Sequence, residues 1–184
     1  MKYIALSRCW GLKHGEKPNF LTTAKIIKIR LKQFSSSELP NTFRDAVQVT
    51  RELGIQYLWI DSLCTIQSGD NGEDWKRECQ RMEDVYASAY CTIAATSAVD
   101  SNAGFLERNV SREPVYVQEA SGRRFHVCTD INNFNNDVKQ APLNKRAWVI
   151  QESVFSGRTI HFSANQTYFG CGEGVYCENL TRMK

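Results

Sequence analysis

The sequence lacks the usual nucleotide-binding loops, since neither a GxGxxG fingerprint nor a GxxxxGK[ST] loop occurs in its 184 residues. Conventional dehydrogenase or NTPase chemistry is therefore unsupported. Histidine is scarce, with only three residues, and no Ser-His-Asp or Cys-His order is convincing. No apolar run approaches the roughly 20 residues that a membrane-spanning helix needs, so we expect no membrane span.

Cysteine is plentiful, but its pattern does not indicate disulfides. The seven cysteines are odd in number and include no CxxC pair. The first residues do not resemble a secretory signal, so we expect a cytoplasmic chain with reduced thiols. Five cysteines lie in or beside apolar segments, where a free thiol packs as a small hydrophobe: Cys9, Cys64, Cys79, Cys91 and Cys128. His161, Cys171 and Cys177 offer half a metal site at most, so we predict no metal.

Charge is nearly balanced, with 23 basic and 20 acidic residues of both signs interspersed. Nucleic-acid grooves show a clustered basic stripe, so we predict no nucleic-acid partner. Residues 25–32 (KIIKIRLK) are nevertheless locally basic. We favour a solvated helix face or strand edge there; the alternative is contact with an anionic surface.

Apolar patterning predicts a single α/β domain over residues 1–184. Strands are expected at Tyr3–Leu6, at Tyr57–Ile60 (a continuous apolar run typical of a strand buried on both faces) and at Tyr90–Ala95. Helices are expected between them, over residues 42–53 and 73–89. This alternation predicts a mostly parallel central sheet flanked by helices.

The two helices carry further local signals. Thr42 and Asp45 predict a capping box for the first helix, and Gly54 a left-handed stop. The second helix has one apolar stripe, which we expect to pack against the sheet: Trp75, Cys79, Met82, Tyr86 and Ala89.

Other segments are predicted to be loops, a small β-hairpin excursion and the end of the sheet. Loops are expected over residues 11–18 and 129–145. The hairpin joins residues 115–117 to 125–127 around Ser121-Gly122. A helix over residues 147–155 should then precede strands at 159–162 and 166–169.

Candidate binding residues follow the first two strands. Ligands of doubly wound sheets gather at the carboxyl ends of the strands. Ser7, Arg8 and Trp10 follow the first strand, and Asp61 follows the second. We therefore predict a polar crevice with Ser7 and Asp61 on neighbouring loops. The alternative is that Asp61 caps its own loop and that Trp10 fills the core.

Trp148 and Glu152 form a third candidate, because residues four apart lie on one face of a helix. An aromatic neighbour can raise the pKa of a carboxylate by desolvation and can stack on a flat ligand. In the alternative interpretation, Trp148 lies in the core and Glu152 pairs with Arg146 or Arg158.

Five separated motifs extend over most of the chain: LSRCWG, LPNTFRDAV, YLWIDSLCTIQ, GFLER, and RAWVIQES with SGRTIHF. In this order and spacing they resemble the fungal heterokaryon-incompatibility (HET) domain, from about Tyr3 to Cys171. Arg8 departs from that pattern, which commonly has Tyr or His there. The resemblance implies a trigger of self/non-self recognition and programmed cell death.

The Trp148-Glu152 spacing also resembles, more distantly, the tryptophan-glutamate pair of Toll/interleukin-1 receptor (TIR) domains that cleave NAD. That resemblance implies Glu152 as the catalytic carboxylate, Trp10 or Trp148 stacked on nicotinamide, and Arg8 or Arg44 at the pyrophosphate. NAD would be a substrate, and no bound cofactor is expected. Two alternatives stay open. One is a non-enzymatic module that self-associates or recruits another incompatibility protein, and the other is an accessory enzyme of secondary metabolism.

Overall fold

A computed structural model describes residues 1–11, 20–108, 115–127 and 133–183. A six-stranded sheet forms the centre, in the order β2-β1-β3-β6-β7-β8. Its strands are β1 (Tyr3–Ser7), β2 (Tyr57–Trp59), β3 (Cys91–Ala94), β6 (Arg158–Phe162), β7 (Thr167–Cys171) and β8 (Gly174–Cys177). The separate hairpin pairs β4 (Val115–Gln118) with β5 (Arg124–Val127).

The first four strands of the sheet run parallel, and β7 and β8 return antiparallel. The helices are α1 (Ile27–Arg30), α2 (Asn41–Glu52), α3 (Asp61–Cys64), α4 (Glu73–Cys79), α5 (Met82–Ser88) and α6 (Ala147–Phe155). The predicted α/β class, the mostly parallel sheet and the hairpin excursion are confirmed. No helix in the described parts of the chain could cross a bilayer, because none is long and apolar enough.

The main core lies where β1 and β3 meet α2. Ile4, Leu6, Phe43, Ile93 and Phe105 are almost fully buried in one cluster. β3 lies between β1 and β6, so its short apolar run is buried throughout. Burial on both faces is typical of a central parallel strand, and the sequence had predicted an apolar strand over this segment.

The prediction that Tyr57–Ile60 is buried on both faces is wrong. β2 is an edge strand, with β1 as its neighbour in the sheet, and Tyr57 is 45% exposed. Leu58 still packs on the core cluster, and the Trp59 ring meets Tyr86 edge-on at 5.8 Å. Large aromatic side chains at a sheet edge give the same continuous apolar run in the sequence as a central strand does. The apolar run alone therefore could not distinguish an edge strand from a buried one.

The predicted helix over residues 73–89 is divided into α4 and α5. The N–H of Arg81 donates to the carbonyl of Glu78 three residues back, so a tighter turn separates the two helices. The apolar stripe is correspondingly less buried than expected, since only Tyr86 is buried.

The capping box predicted for α2 is also wrong. The Asp45 carboxylate accepts the backbone N–H groups of Phe105 and Leu106, at 2.6 and 3.1 Å. The Thr42 hydroxyl donates to the carbonyl of Asp100 at 2.9 Å. Both side chains therefore fix the loop after β3 instead of the start of their own helix. Gly54 does adopt the predicted left-handed conformation, with φ of 67°.

The loop predicted over residues 129–145 contains helical turns at Asn135–Lys139 and Pro142–Lys145. Residues 128–132, with Cys128, lie outside the described ranges, as do residues 12–18 of the predicted loop over 11–18. The six described cysteines are free. Cys64 is exposed and Cys79 half-buried, so neither packs as the buried hydrophobe that was expected.

The central strand supplies a test of the core. Ile93→Ala should lower the free energy of unfolding by about 2–5 kcal/mol, because a fully buried side chain would leave a cavity. The matched Ile150→Ala, at an exposed position of α6, should change it by less than about 0.5 kcal/mol. Urea unfolding followed by circular dichroism measures both, and equal losses would contradict this core assignment.

Candidate functional site

The carboxyl ends of β1 and β2 lie at the same end of the sheet, as the sequence predicted, but Ser7 and Asp61 do not line a common cavity among the described residues. The two strands are parallel, with Ala5 paired to Trp59. Ser7 lies two residues after Ala5, and Asp61 lies two residues after Trp59. The two side chains are therefore at the same end of the sheet. Ser7 is buried, whereas the Asp61 side chain keeps some contact with solvent.

Beside this edge lies a cavity of about 230 Å³. Its wall is formed by the loop after β1, by α3, α4 and α5, and by α6 with the residue before it. The lining residues are Trp10, Asp61, Trp75, Cys79, Met82, Tyr86, Arg146, Trp148, Gln151 and Glu152. Trp75, Cys79, Met82 and Tyr86 of the apolar stripe therefore line a pocket, although Tyr86 also contacts Trp59 of the sheet. Because an amphipathic stripe fits either role, the sequence alone did not single out these residues.

Glu152 has an unusual environment for a carboxylate. Burial raises its pKa above the ordinary value, and the negative charge of Asp61 adds to that effect. The Ser7 hydroxyl, the positive charge of Arg146 and the Tyr86 hydroxyl oppose the shift without cancelling it. The Glu152 Oε2 atom is buried and has no hydrogen-bond partner.

Tyr86 supports this carboxylate from the sheet side. Its side chain is almost fully buried, and burial together with the charges of Glu152 and Asp61 raises its pKa well above the usual range. The phenol therefore keeps its proton, and it lies in the pocket wall together with Glu152.

Asp61 combines the two roles that the sequence left open. Its Oδ1 atom accepts the backbone N–H of Ser62 at 2.6 Å, which fixes the turn into α3. Its Oδ2 atom accepts the indole N–H of Trp10 at 2.9 Å. Both side chains nevertheless form part of the pocket wall, so the structural role of Asp61 does not remove it from the site.

Arg8 lies behind the pocket, not in its wall. The side chain is 2% exposed, and its guanidinium donates to the hydroxyls of Ser62 and Ser101 at 2.8 and 2.9 Å. It also lies 3.6 Å from Asp61 and covers the ring of Phe43 at 4.6 Å. These contacts make Arg8 a support for the Asp61 turn, so a direct bond to a ligand phosphate is not supported.

Arg146 is the cation that does line the pocket, and the sequence suggested it only as a partner for Glu152. Its guanidinium donates to the backbone carbonyl of Arg8, which ties the start of α6 to the end of β1. Arg44, the other residue proposed for a pyrophosphate, lies on the surface of α2 and bonds to Asn41.

Two tryptophans meet across the cavity. Trp75 of α4 and Trp148 of α6 have ring centroids 6.4 Å apart and planes at 88°. Their side chains are 44% and 50% exposed. Trp148 is therefore not the core residue of the alternative interpretation, and a flat ligand could contact both indoles.

The suggested half metal site is not assembled. The described residues contain no group of three or more His, Cys, Asp or Glu side chains that could hold an ion. His161 packs edge-on against Phe134 at 5.7 Å, and burial lowers its pKa to about 4. Cys177 bonds to Asn179 instead, at 2.8 Å.

Comparison with known proteins gives one match. The family model described as "Heterokaryon incompatibility protein (HET)" matches residues 3–152, which is most of the chain. The matched range ends at Glu152 and includes every pocket residue. No curated protein and no solved structure matches this chain.

The buried guanidinium of Arg8 can be tested directly. Arg8→Lys should lower the free energy of unfolding by about 1.5–3 kcal/mol, because one ammonium cannot reproduce the forked contacts to Ser62 and Ser101. Arg44→Lys, at the exposed surface, is the matched control and should have little effect. If urea unfolding finds the two variants equally stable, the bracing role assigned to Arg8 is wrong.

Proposed function

The chain belongs to the heterokaryon incompatibility (HET) family, and from that premise we propose that it is a fungal cell-death effector of self/non-self recognition that cleaves NAD. The proposal assigns the chemistry to Glu152 and the binding of the nicotinamide end of NAD to the pocket around it. NAD is the substrate, and no further cofactor takes part.

One observation carries this proposal: a buried carboxylate oxygen without a partner, at the wall of an aromatic pocket. Buried polar atoms are normally satisfied, because leaving one unpaired costs free energy. Such an exception needs an explanation, and a catalytic role is one that fits a carboxylate in a pocket wall. The raised pKa of Glu152, caused mainly by burial, is a second property common at functional sites.

The proposed reaction breaks the bond between the nicotinamide nitrogen and C1′ of the ribose. The nitrogen takes the bonding electron pair, so nicotinamide leaves as a neutral ring and positive charge develops on the ribose. Ionised Glu152 stabilises that oxocarbenium-like state, as carboxylates do in glycoside hydrolysis. Water then adds to C1′ and releases a proton, giving ADP-ribose.

The dimensions of the pocket fit part of the substrate. Pockets that enclose drug-sized ligands have volumes of roughly 300–1,000 Å³. The cavity of about 230 Å³ therefore suits the nicotinamide ring and its ribose, with the rest of NAD outside. Trp75 and Trp148 offer surfaces for the ring, and Arg146 replaces Arg8 and Arg44 as the cation available to a phosphate.

A second candidate function has its own support. The outward side of α6 exposes Ile150 and Val154, which are one helical turn apart. An apolar surface of this kind favours a non-enzymatic module that associates with itself or with another incompatibility protein. The remaining alternative, an accessory enzyme of secondary metabolism, has no specific feature in its favour.

The first test replaces the carboxylate by the isosteric amide. Glu152→Gln should abolish nicotinamide release from NAD and cell death on expression in a fungal host, because the amide carries no negative charge. Glu83→Gln, on the exposed face of α5, is the matched control and should retain both activities. A folded Glu152→Gln protein that still kills would exclude this chemistry and favour the self-association candidate.

The second test varies the pH. As the pH rises, the activity should increase while the contribution of Glu152 to folding stability should decrease. The ionised carboxylate is the working form, so kcat/KM for NAD should fall as pH falls through the raised pKa of Glu152. A carboxyl group whose pKa is raised in the folded protein stabilises the fold at low pH, and that contribution is lost as pH rises through the folded-state pKa.

Wild-type protein should therefore lose stability relative to Glu152→Gln between acidic and neutral pH. Thermal unfolding of both proteins across that range provides the measurement. If the wild type instead gains stability relative to Glu152→Gln as the pH rises from acidic to neutral, the ionised carboxylate is stabilised by favourable charge pairing, contrary to the proposal.

A further inference from the structure

A short segment outside the pocket wall exposes apolar side chains among cations. Ile29 in α1 is 67% exposed, and Leu31 directly after it is 78% exposed. Lys25, Lys28 and Lys32 are exposed around them. We call residues 25–32 the basic platform.

The basic platform is fixed to the body of the protein on both sides. Before it, the N–H groups of Thr22 and Ala24 donate to the carbonyls of Ser62 and Ser68, at 2.9 and 3.0 Å. After it, Leu39 is buried in the main core. The exposure of Ile29 and Leu31 is therefore a property of a supported surface, and no apolar neighbour in the described parts of the chain covers them.

Arg30 reinforces this arrangement from within the platform. Its guanidinium lies over the ring of Phe20 at 3.6 Å and over the ring of Phe34 at 5.3 Å. Phe20 in turn packs edge-on against the core residue Phe43 at 6.3 Å. The inward side of the segment is thus occupied, and the lysines and the two aliphatic side chains share the outward side.

The positive charge of the protein is concentrated here. Residues 20–37 contain four cations and no acidic residue, and the rest of the chain has 19 basic and 20 acidic residues. The entire positive excess of the chain therefore comes from this one segment. A partner that matches it must be anionic and must also accept apolar side chains.

We propose that the basic platform docks on the surface of an anionic phospholipid bilayer. The three lysines contact lipid phosphates and carboxylates, and Ile29 and Leu31 enter the boundary between head groups and acyl chains. A nucleic acid satisfies the lysines but offers an aliphatic side chain little apolar surface. The bilayer satisfies both properties, and the docking is peripheral.

Co-sedimentation with vesicles tests this proposal, using phosphatidylcholine vesicles with or without phosphatidylserine. Wild-type protein should bind the phosphatidylserine vesicles, and added salt should weaken that binding because exposed charges are screened. Lys28→Gln with Lys32→Gln should weaken it about 30-fold, at about 1 kcal/mol for each cation. Lys76→Gln with Lys139→Gln, at exposed positions elsewhere, is the matched control and should bind as wild type.

The contribution of Ile29 and Leu31 to binding distinguishes a bilayer from other polyanions. Ile29→Ser with Leu31→Ser should weaken vesicle binding roughly tenfold or more, because apolar burial is lost while every charge remains. Val99→Ser with Leu180→Ser, at other exposed apolar positions, should bind as wild type.

Several results would overturn the proposal. They are the absence of vesicle binding, equal binding to both vesicle types, or a serine variant that binds as tightly as wild type. Tighter binding to a duplex oligonucleotide than to the vesicles would assign the surface to nucleic acid instead. NAD cleavage in solution should be the same for all these variants, so failure of either proposal can be recognised without the other.

Discussion

The buried guanidinium of Arg8 is the interaction on which the candidate site depends. A charge removed from water must be compensated by close partners, and Arg8 finds them on three separate segments: Ser62 beside the Asp61 turn, Ser101 after β3, and the ring of Phe43 on α2. Burial lowers the pKa of Arg8, while nearby Asp61 opposes that shift. The backbone carbonyl of Arg8 also accepts a hydrogen bond from the guanidinium of Arg146. This bond positions α6 and therefore Glu152.

The sequence predicted those parts of the fold in which pattern and packing agree. β1 and β3 are central strands with short apolar runs, and α2 ends at a left-handed glycine, so local signals were sufficient there. The carboxyl-end rule correctly placed Ser7 and Asp61 at one edge of the sheet. Trp148 and Glu152 are both in the pocket wall because a four-residue helical spacing is a strictly local property.

The errors share a physical origin, since a side chain's hydrophobicity does not reveal what covers it. Tyr57 lies on an edge strand, and Trp75 and Met82 line a cavity, although their spacing is also that of core residues. Asp45 had the spacing of a capping residue, yet it satisfies backbone groups of a loop some 60 positions away in the sequence. Arg8 was missed as a support because no local pattern distinguishes a buried arginine from an exposed one.

The pocket draws its wall from chain segments that are far apart, from Trp10 to Glu152. During synthesis, Asp61 and Tyr86 leave the ribosome well before Glu152 does. α6 is then held in place by Arg146 and by β6, which follows it and must pair with β3. A nascent chain therefore has no assembled site until nearly the whole domain has been made. For a protein proposed to kill the cell that synthesises it, this order means that incomplete chains lack the proposed site.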